Sequence, residues 1–446
     1  MLSLKSIRYV PLNYIKFITA LNRKRFTSLI SFSCTYASLR SLNRALLITR
    51  TYQSTPETLK VEFNDALSAN LHYAWLRDSC RCSKCIHPES QQKLFDTTSL
   101  KLDIRPRFCH VTEKGHLKIV WDEGNADHVS MYDPHWLHKY ALGFEKDLYE
   151  IVHDVLPPAE CWTGKMLEQN LPQMEYEDIM ESLPALYRSL KNIHKYGILF
   201  VRNVPCVPGE VINVMNRIAN IKQTRWGSSF HITTDDAFRG PACITEVERV
   251  LGIHTDMDYL EKSPGLQATH CLESNYDSSF PSDGSKRPDH SYFVDGFYVA
   301  EWLKKNHMVY FNTLAAVPVK FRLFTQNMEY FSYQPILRLS RSRNVTEVHY
   351  NNRLMAPLEG PSRSVLDFFA AFKAFGEHLR EPENLYSFTF KPGDLVILNN
   401  RRVLHGRYTF HFSKLQRHLE GCFADLDEAQ AQYRSFLMKK RTNADK

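Results

Sequence analysis

Nowhere in the 446 residues is there an apolar run approaching the ~20 residues that a membrane-crossing helix needs, so no membrane span is expected. Acidic residues are absent from the first 56 positions. Nine basic ones stand there (Lys5, Arg8, Lys16, Arg23, Lys24, Arg25, Arg40, Arg44 and Arg50), and the first carboxylate is Glu57. With Ser, Thr, Leu and Phe filling the gaps, this is the composition of a mitochondrial transit segment rather than of a packed domain. We expect residues 1–56 to be such a leader and the protein to be mitochondrial, in the matrix. The competing reading is a basic tail that binds an anionic surface. Taking those nine charges from the formal +7 leaves −2, so the remainder lacks the basic footprint of a nucleic-acid binder. A secretory signal and internal repeats are missing too, which argues against a disulfide framework for the ten cysteines.

What is present is ordinary for a globular protein: 43% hydrophobic and 24% charged residues, in a chain long enough for roughly two or three domains. Residues 57–145 read as a small β-rich domain. "LKVEFNDALSANLHYAWL" alternates about a polar turn, "HVTEKGHLKIVW" predicts a hairpin across Lys114-Gly115, and Asp133 is placed to cap a helix in "DPHWLHKYAL". A proline-bearing connection with "LPPAE" and "NLPQ" follows. Residues 175–440 form the larger domain, with a strand in "YGILFVRNV", helices in "PGEVINVMNRIANI" and "RSVLDFFAAFKAFGEHL", and a strand with a polar exit in "KPGDLVILNNRRVLHGR". The expected fold is mainly β with flanking helices: a distorted jelly-roll (double-stranded β-helix) catalytic domain after a small N-terminal β domain. Residues 273–290 read as a polar loop.

A histidine followed two positions on by an acid is cheap: His87/Glu89, His254/Asp256 and His418/Glu420 all qualify. On an extended segment, residues i and i+2 share a face, so His254 and Asp256 can serve one point. His405, at the end of the hydrophobic strand in "LVILNNRRVLHGR", is the candidate third ligand. Two histidines and one carboxylate leave coordination positions open, the arrangement of non-haem Fe(II) oxygenases. Arg417 follows in "LQRHLEGCF", where a guanidinium can grip a dicarboxylate in a bidentate way. Singly, each residue is more often a core histidine or half of a surface ion pair. Their combination is what points to Fe(II)/2-oxoglutarate chemistry.

The segments "AWLRDSCRCSKC", "GILFVRNVP", "HTD", "VDGFYVAE", "YNNR", "KPGDLVILNNRRVLHGR" and "RHLEGCFADLD" make residues 58–440 similar to the γ-butyrobetaine and trimethyllysine dioxygenases, the hydroxylases of carnitine biosynthesis. The resemblance implies iron on His254, Asp256 and His405, 2-oxoglutarate held by Arg417, and dioxygen as oxidant. Succinate and CO2 would be co-products, ascorbate an accessory reductant, and a homodimer an open expectation.

Three cysteines, Cys80, Cys82 and Cys85, stand in "CRCSKC" and need one more ligand for a tetrahedral structural zinc. His128 is the leading candidate, aligning with a family histidine. His87 lies nearer in sequence, His110 is a weaker competitor, and a redox-sensing role is the alternative. The other seven cysteines read mostly as small buried hydrophobes. The family substrates carry a trimethylammonium group, which aromatic faces bind by cation–π attraction. The resemblance puts Trp226, Phe230 and Phe423 at cage positions and Cys243 where the family has a tyrosine. Trp226 and Phe230 as plain core aromatics is the bland alternative. The loop before "SYFVDGF" lacks a family glycine pair, which puts a contact of Ser291 with 2-oxoglutarate in question. "RHLEG" and the cysteine spacing lean toward γ-butyrobetaine as substrate; the leader and "FRG" lean toward trimethyllysine. The first is the main expectation and the second its alternative. A zinc-stabilised, non-catalytic binding protein is a third reading, of a different class.

Overall fold

The structure is a computed structural model that describes residues 45–123, 127–145, 156–233, 251–276, 290–325, 327–407 and 415–444. The leader up to residue 44, Cys34, Cys243 and positions 277–289 of the polar loop therefore lie outside the described residues. Two compact units are present. One reaches to Trp136 and the other runs from Leu137, with residues 69–71 grouped with the second.

In the first unit, β1 (Ile48–Thr55) pairs antiparallel with β2 (Thr58–Phe63), and β3 (Ser68–His72) follows in the same sheet. Alternation buries Leu59, Val61 and Phe63 on one face of β2. The expected alternation stops earlier than "AWL". His72 accepts a hydrogen bond from the Ala74 amide and caps a helix over Tyr73–Asp78. A second antiparallel sheet holds β4 (Pro106–Val111), β5 (Leu117–Trp121) and β6 (His128–Tyr132). The β4–β5 hairpin turns through Gly115, whose φ of +76° is one that glycine adopts without strain. Asp133 accepts from the Trp136 amide and opens the helix Pro134–Glu145.

The second unit contains β7 (Gln173–Glu175), β8 (Ile198–Arg202), β9 (Phe230–Thr233), β10 (Leu251–His254), β11 (Leu266–Tyr276), β12 (His290–Asp295), β13 (Pro318–Phe324), β14 (Glu329–Pro335), β15 (Leu337–Leu339), β16 (Val345–Val348), β17 (Tyr386–Thr389), β18 (Leu395–Asn399), β19 (Val403–Arg407) and β20 (Leu415–Ala424). Six of them form a sheet in the order β7-β8-β18-β11-β20-β9, and four form another in the order β10-β19-β12-β17. Two-residue alternation sorts the larger sheet into two buried faces. Phe200, Val396, Cys271 and Leu419 share a core with Phe293, Phe388 and Val403 of the smaller sheet. Leu199, Ile397, Ala268 and Cys422 point the other way, onto the helices Leu183–Tyr196 and Glu210–Ile218.

The described residues hold more helix than expected, and the fold is mixed α/β. The proline-bearing connection contains the helix Gly164–Gln169, which Thr163 caps at the Met166 amide. The helices Leu183–Tyr196, Gly296–Asn306 and Met308–Ala316 were not foreseen. The first has unmistakable ends: Ser182 caps it and Gly197, at φ +74°, terminates it. Of the scattered cysteines, Cys271 and Cys422 are buried as expected, whereas Cys206 is exposed.

Asp295, at the end of β12, and Arg402, before β19, are almost fully buried and paired at 2.8 Å. Arg402 also donates to the Lys195 and Glu160 carbonyls, so four of its five N–H donors are used. Removing one partner leaves an uncompensated buried charge. Asp295→Ala should therefore cost about 3–5 kcal/mol in denaturant unfolding. A loss below about 1 kcal/mol, the range of an exposed pair, would contradict this.

Candidate metal centres

The antiparallel register of β10 and β19 sets His254 directly opposite His405, with ring centroids 4.4 Å apart. Asp256 completes the group. His254 Nε2 lies 3.3 Å from its Oδ1 and His405 Nε2 lies 3.6 Å from its Oδ2. Two details of the sequence reading need correction. His254 and Asp256 do not share a face of one strand, because β10 ends at His254 and Asp256 sits in the turn beyond, before Met257 at φ +60°. His405 does not end the hydrophobic strand either; that is β18, and a turn at 400–402 leads into β19, where His405 is central. Cross-strand pairing and a turn produce the convergence.

Backbone bonds fix the group. His254 Nδ1 donates to the Gly252 carbonyl at 2.9 Å, which leaves the Nε2 lone pair for a metal. Asn400 accepts from the Asp256 amide at 2.8 Å and donates to the Asp256 carbonyl at 2.9 Å. Burial pushes the Asp256 carboxyl up, but the hydrogen bond and charge of His254, with His405 and Gln267, outweigh it and hold the group below the usual carboxylate range. Burial, then the neighbouring His254, pushes His405 down to about 3. A carboxylate and neutral imidazoles are the forms that metal binding requires. The donor atoms lie within 4.8 Å of one another, and the set suits a divalent first-row metal with open positions.

Arg417 is buried on β20, where it donates to Ser291 Oγ at 3.2 Å and lies over the Phe390 ring. Ser291 of β12 is paired in register with Arg407, a buried arginine that the sequence reading passed over. The signal was present: Arg407 follows His405 by two positions on one strand and so shares its face. Arg417→Lys loses the two-pronged donor geometry. It should raise KM for 2-oxoglutarate about 10–100-fold, the worth of one hydrogen bond to a charged group, in a decarboxylation assay. An unchanged KM would remove Arg417 from that role.

The cage candidates are only partly assembled. Phe423 lies beside Gln267 across the β11–β20 ladder and stacks on Phe230 at 5.1 Å and 29°. Both pack with Ile253, Met257 and Tyr259, close in sequence to the metal-facing residues. The far end of the Phe230 ring comes up against Gly421, where a Cβ would collide with it. Rings stacked this closely cover each other's faces and cannot act as opposed walls about a cation. Trp226 is 40% exposed on the turn 224–227 and, among the described residues, makes no ring contact with either phenylalanine.

In the first unit, His128 Nε2 lies 3.2, 3.7 and 3.6 Å from the sulfurs of Cys80, Cys82 and Cys85. The competitors are engaged elsewhere, His87 with Ser90 and His110 against the Phe108 ring. Burial and the neighbouring Cys80 push the Cys85 thiol up to about 12. Burial also raises Cys82, but hydrogen bonds from the Lys84 and Cys85 amides and the flanking thiols leave it below its ordinary value. Three cysteines and one histidine suit tetrahedral zinc.

Two histidines with one carboxylate, held on a layered β core, are the donor set that non-haem Fe(II) oxygenases use. The chain belongs to the taurine catabolism dioxygenase TauD, TfdA family, matched over residues 158–423, and is an Fe(II)/2-oxoglutarate-dependent dioxygenase. Residues 50–138 match the gamma-butyrobetaine hydroxylase-like N-terminal domain. The gamma-butyrobetaine dioxygenase of Pseudomonas sp. (strain AK-1) is 28% identical over 370 residues, 83% of this chain and 91% of that one. The mitochondrial trimethyllysine dioxygenase of Rattus norvegicus is 28% identical over 410 residues, 90% of each chain. Its Homo sapiens counterpart is 30% identical over 363 residues, 80% of each. Among the described residues, no helix is long and apolar enough to cross a membrane.

Proposed function

We propose that this dioxygenase hydroxylates a trimethylammonium amino acid in carnitine biosynthesis, with N6-trimethyllysine ahead of γ-butyrobetaine. The observation that carries the order is the likeness to mitochondrial trimethyllysine dioxygenases, up to 30% identical, against 28% for the gamma-butyrobetaine enzyme. It reverses the order expected from the motifs. γ-Butyrobetaine stays as the second reading, because "RHLEG" and the C-x-C-x2-C spacing favour it. The names of the relatives and the acid-free leader support a mitochondrial location.

In this reading residues 57–145 are the zinc-binding domain and 175–440 the catalytic domain, whose two facing sheets form the double-stranded β-helix. His254, Asp256 and His405 hold Fe(II), and Cys80, Cys82, Cys85 and His128 hold zinc. When bound, iron with 2-oxoglutarate and dioxygen supplies an oxidant able to cleave an unactivated C–H bond. The side chains do the rest. Arg417 neutralises the far carboxylate of 2-oxoglutarate, with Ser291 fixing the guanidinium. The half-buried Phe230, backed by the buried Phe423, and the exposed Trp226 are the aromatic groups that would receive the cation. Substrate placement and exclusion of water from the open side set which carbon reacts.

Succinate release with each substrate tests the proposal. Trimethyllysine should give the higher kcat/KM; the reverse order moves the assignment to γ-butyrobetaine, and turnover of neither places the substrate outside the pathway. Trp226→Ala should weaken the cationic substrate by about 0.5–2 kcal/mol while sparing 2-oxoglutarate. Equal handling of the charged substrate and its uncharged carbon isostere would refute the cage.

A further inference from the structure

Beneath the turn that carries Asp256 runs a buried chain of alternating charges. Asp258, fully buried, accepts from Thr255 Oγ1 at 2.5 Å with one oxygen and meets His349 Nδ1 at 3.0 Å with the other. His349, 2% exposed, reaches Glu347 with its second nitrogen at 3.1 Å. Glu347 in turn pairs with Arg401 at 3.5 Å and Arg338 at 3.2 Å. Burial works against a charge on His349, but the acids on both ring nitrogens outweigh it and raise its affinity for the proton; burial raises Asp258 as well, despite its bonds to His349 and Thr255.

The places that this chain joins give it meaning. Thr255 stands between the candidate ligands His254 and Asp256, and its hydroxyl also accepts from the Tyr350 amide at 2.9 Å. Asn351 donates to the Thr255 carbonyl at 2.9 Å. Ser332 of β14 holds the Asp258 carbonyl at 2.5 Å, and Arg401 donates to the Ser263 carbonyl at 3.0 Å. Arg401 belongs to the turn that leads into β19 and His405. The chain thus ties the segment bearing His254 and Asp256 to the one bearing His405, with the β15–β16 hairpin as the strut between them. Apolar residues of similar volume would match or exceed its contribution to stability, because burying ions is expensive. Register is what such a network adds.

We propose that Asp258, His349, Glu347 and Arg401 are positioning residues of the iron site, holding the two ligand-bearing turns in register so that His254, Asp256 and His405 converge on one ion. This rests on the iron reading of those three residues. Partners behind a metal's direct ligands characteristically carry about 10–100-fold in metal affinity.

Mn(II) is the probe, because it takes nitrogen and oxygen ligands and avoids the thiolate cluster of the first unit. Its affinity for the full chain is measured by electron paramagnetic resonance, beside the melting temperature of the metal-free protein. Asp258→Asn and His349→Gln should each weaken Mn(II) about 10–100-fold. Leu337→Ala, an apolar cut in the same hairpin, should lower the melting temperature and leave Mn(II) affinity within about twofold. If His349→Gln does not fold, Glu347→Gln at the more exposed end of the chain carries the test. Near-parental Mn(II) affinity in the charge variants, or equal weakening by Leu337→Ala, overturns the positioning role and leaves a structural one. If the parent shows no Mn(II) site that His254→Ala removes, the iron reading itself fails and takes this inference with it.

Discussion

His405→Ala is expected to bring 2-oxoglutarate decarboxylation to background while the metal-free protein stays folded. The side chain is 18% exposed, so the space left by its removal is open to solvent rather than a sealed cavity of the kind that destabilises a core. Its Nδ1 has no hydrogen-bond partner among the described residues, so no buried bond is lost. The same residue gives a pH signature. Burial holds His405 at about 3 in the folded state, against about 6.5 in an unfolded chain. Between those values the unfolded chain binds the extra proton, so metal-free stability is complete above about 6.5 and declines as pH falls toward 3. Asp256, held low, adds its own loss only below about 3.9, the ordinary carboxylate value. His128 and His270 are also depressed and contribute to the parent's slope. His405→Ala should therefore flatten the decline between pH 6.5 and 4 in part, by the His405 share. Retained turnover would sink the third-ligand assignment. An unchanged acid slope would show that His405 is not buried neutral.

How far the sequence carried the reading differs residue by residue. The Cys80, Cys82, Cys85 spacing was legible because thiols so close along the chain can meet without help from the rest of the fold. His128 was harder, since only the pairing of β5 and β6 brings its strand into place. His254 and His405 were named, but the reason given for their meeting was incomplete: a cross-strand register and a turn do the work, and neither shows in a period-two pattern. The charge chain from Asp258 to Arg401 escaped altogether. Its members come from three separate segments, and each alone reads as a surface residue. Several helices escaped for a related reason. Gly296–Asn306 and Met308–Ala316 are separated by His307 alone, so each is too short for its apolar stripe to stand out from the neighbour's. The cage shows the opposite failure. Its residues were named by likeness, yet Phe230 and Phe423 lie face to face, which composition cannot reveal.

Losing the zinc ligands should damage stability more than chemistry, and Cys80→Ser should do so most clearly. Cys80 is fully buried, and its sulfur is nearest to His128 at 3.2 Å. The first unit has a modest core built on Val61, Phe63, Leu117, Ile119, Trp121 and Tyr132. Structural zinc contributes about 10–16 kcal/mol of apparent binding energy in small metal-dependent domains, and much of that is folding energy. The thiols must ionise to bind, and Cys85 is pushed up to about 12, so zinc uptake should release protons and tighten as pH rises. Bound zinc with three thiolates carries a net negative charge, and Arg77, which donates to Cys85 Sγ at 3.5 Å, is placed to offset it. Cys80→Ser and Cys82→Ser should both lose the single zinc per chain, and Cys80→Ser should bring an early unfolding transition of the first unit. At about 4–8 °C per kcal/mol for a unit of 60–100 residues, a loss of only a few kcal/mol moves that transition by tens of degrees. Rates measured below the transition should fall far less than in His405→Ala. A native protein without zinc, or a Cys80→Ser protein melting with the parent, would reject the structural-zinc assignment. A disulfide within the cluster would favour redox sensing instead.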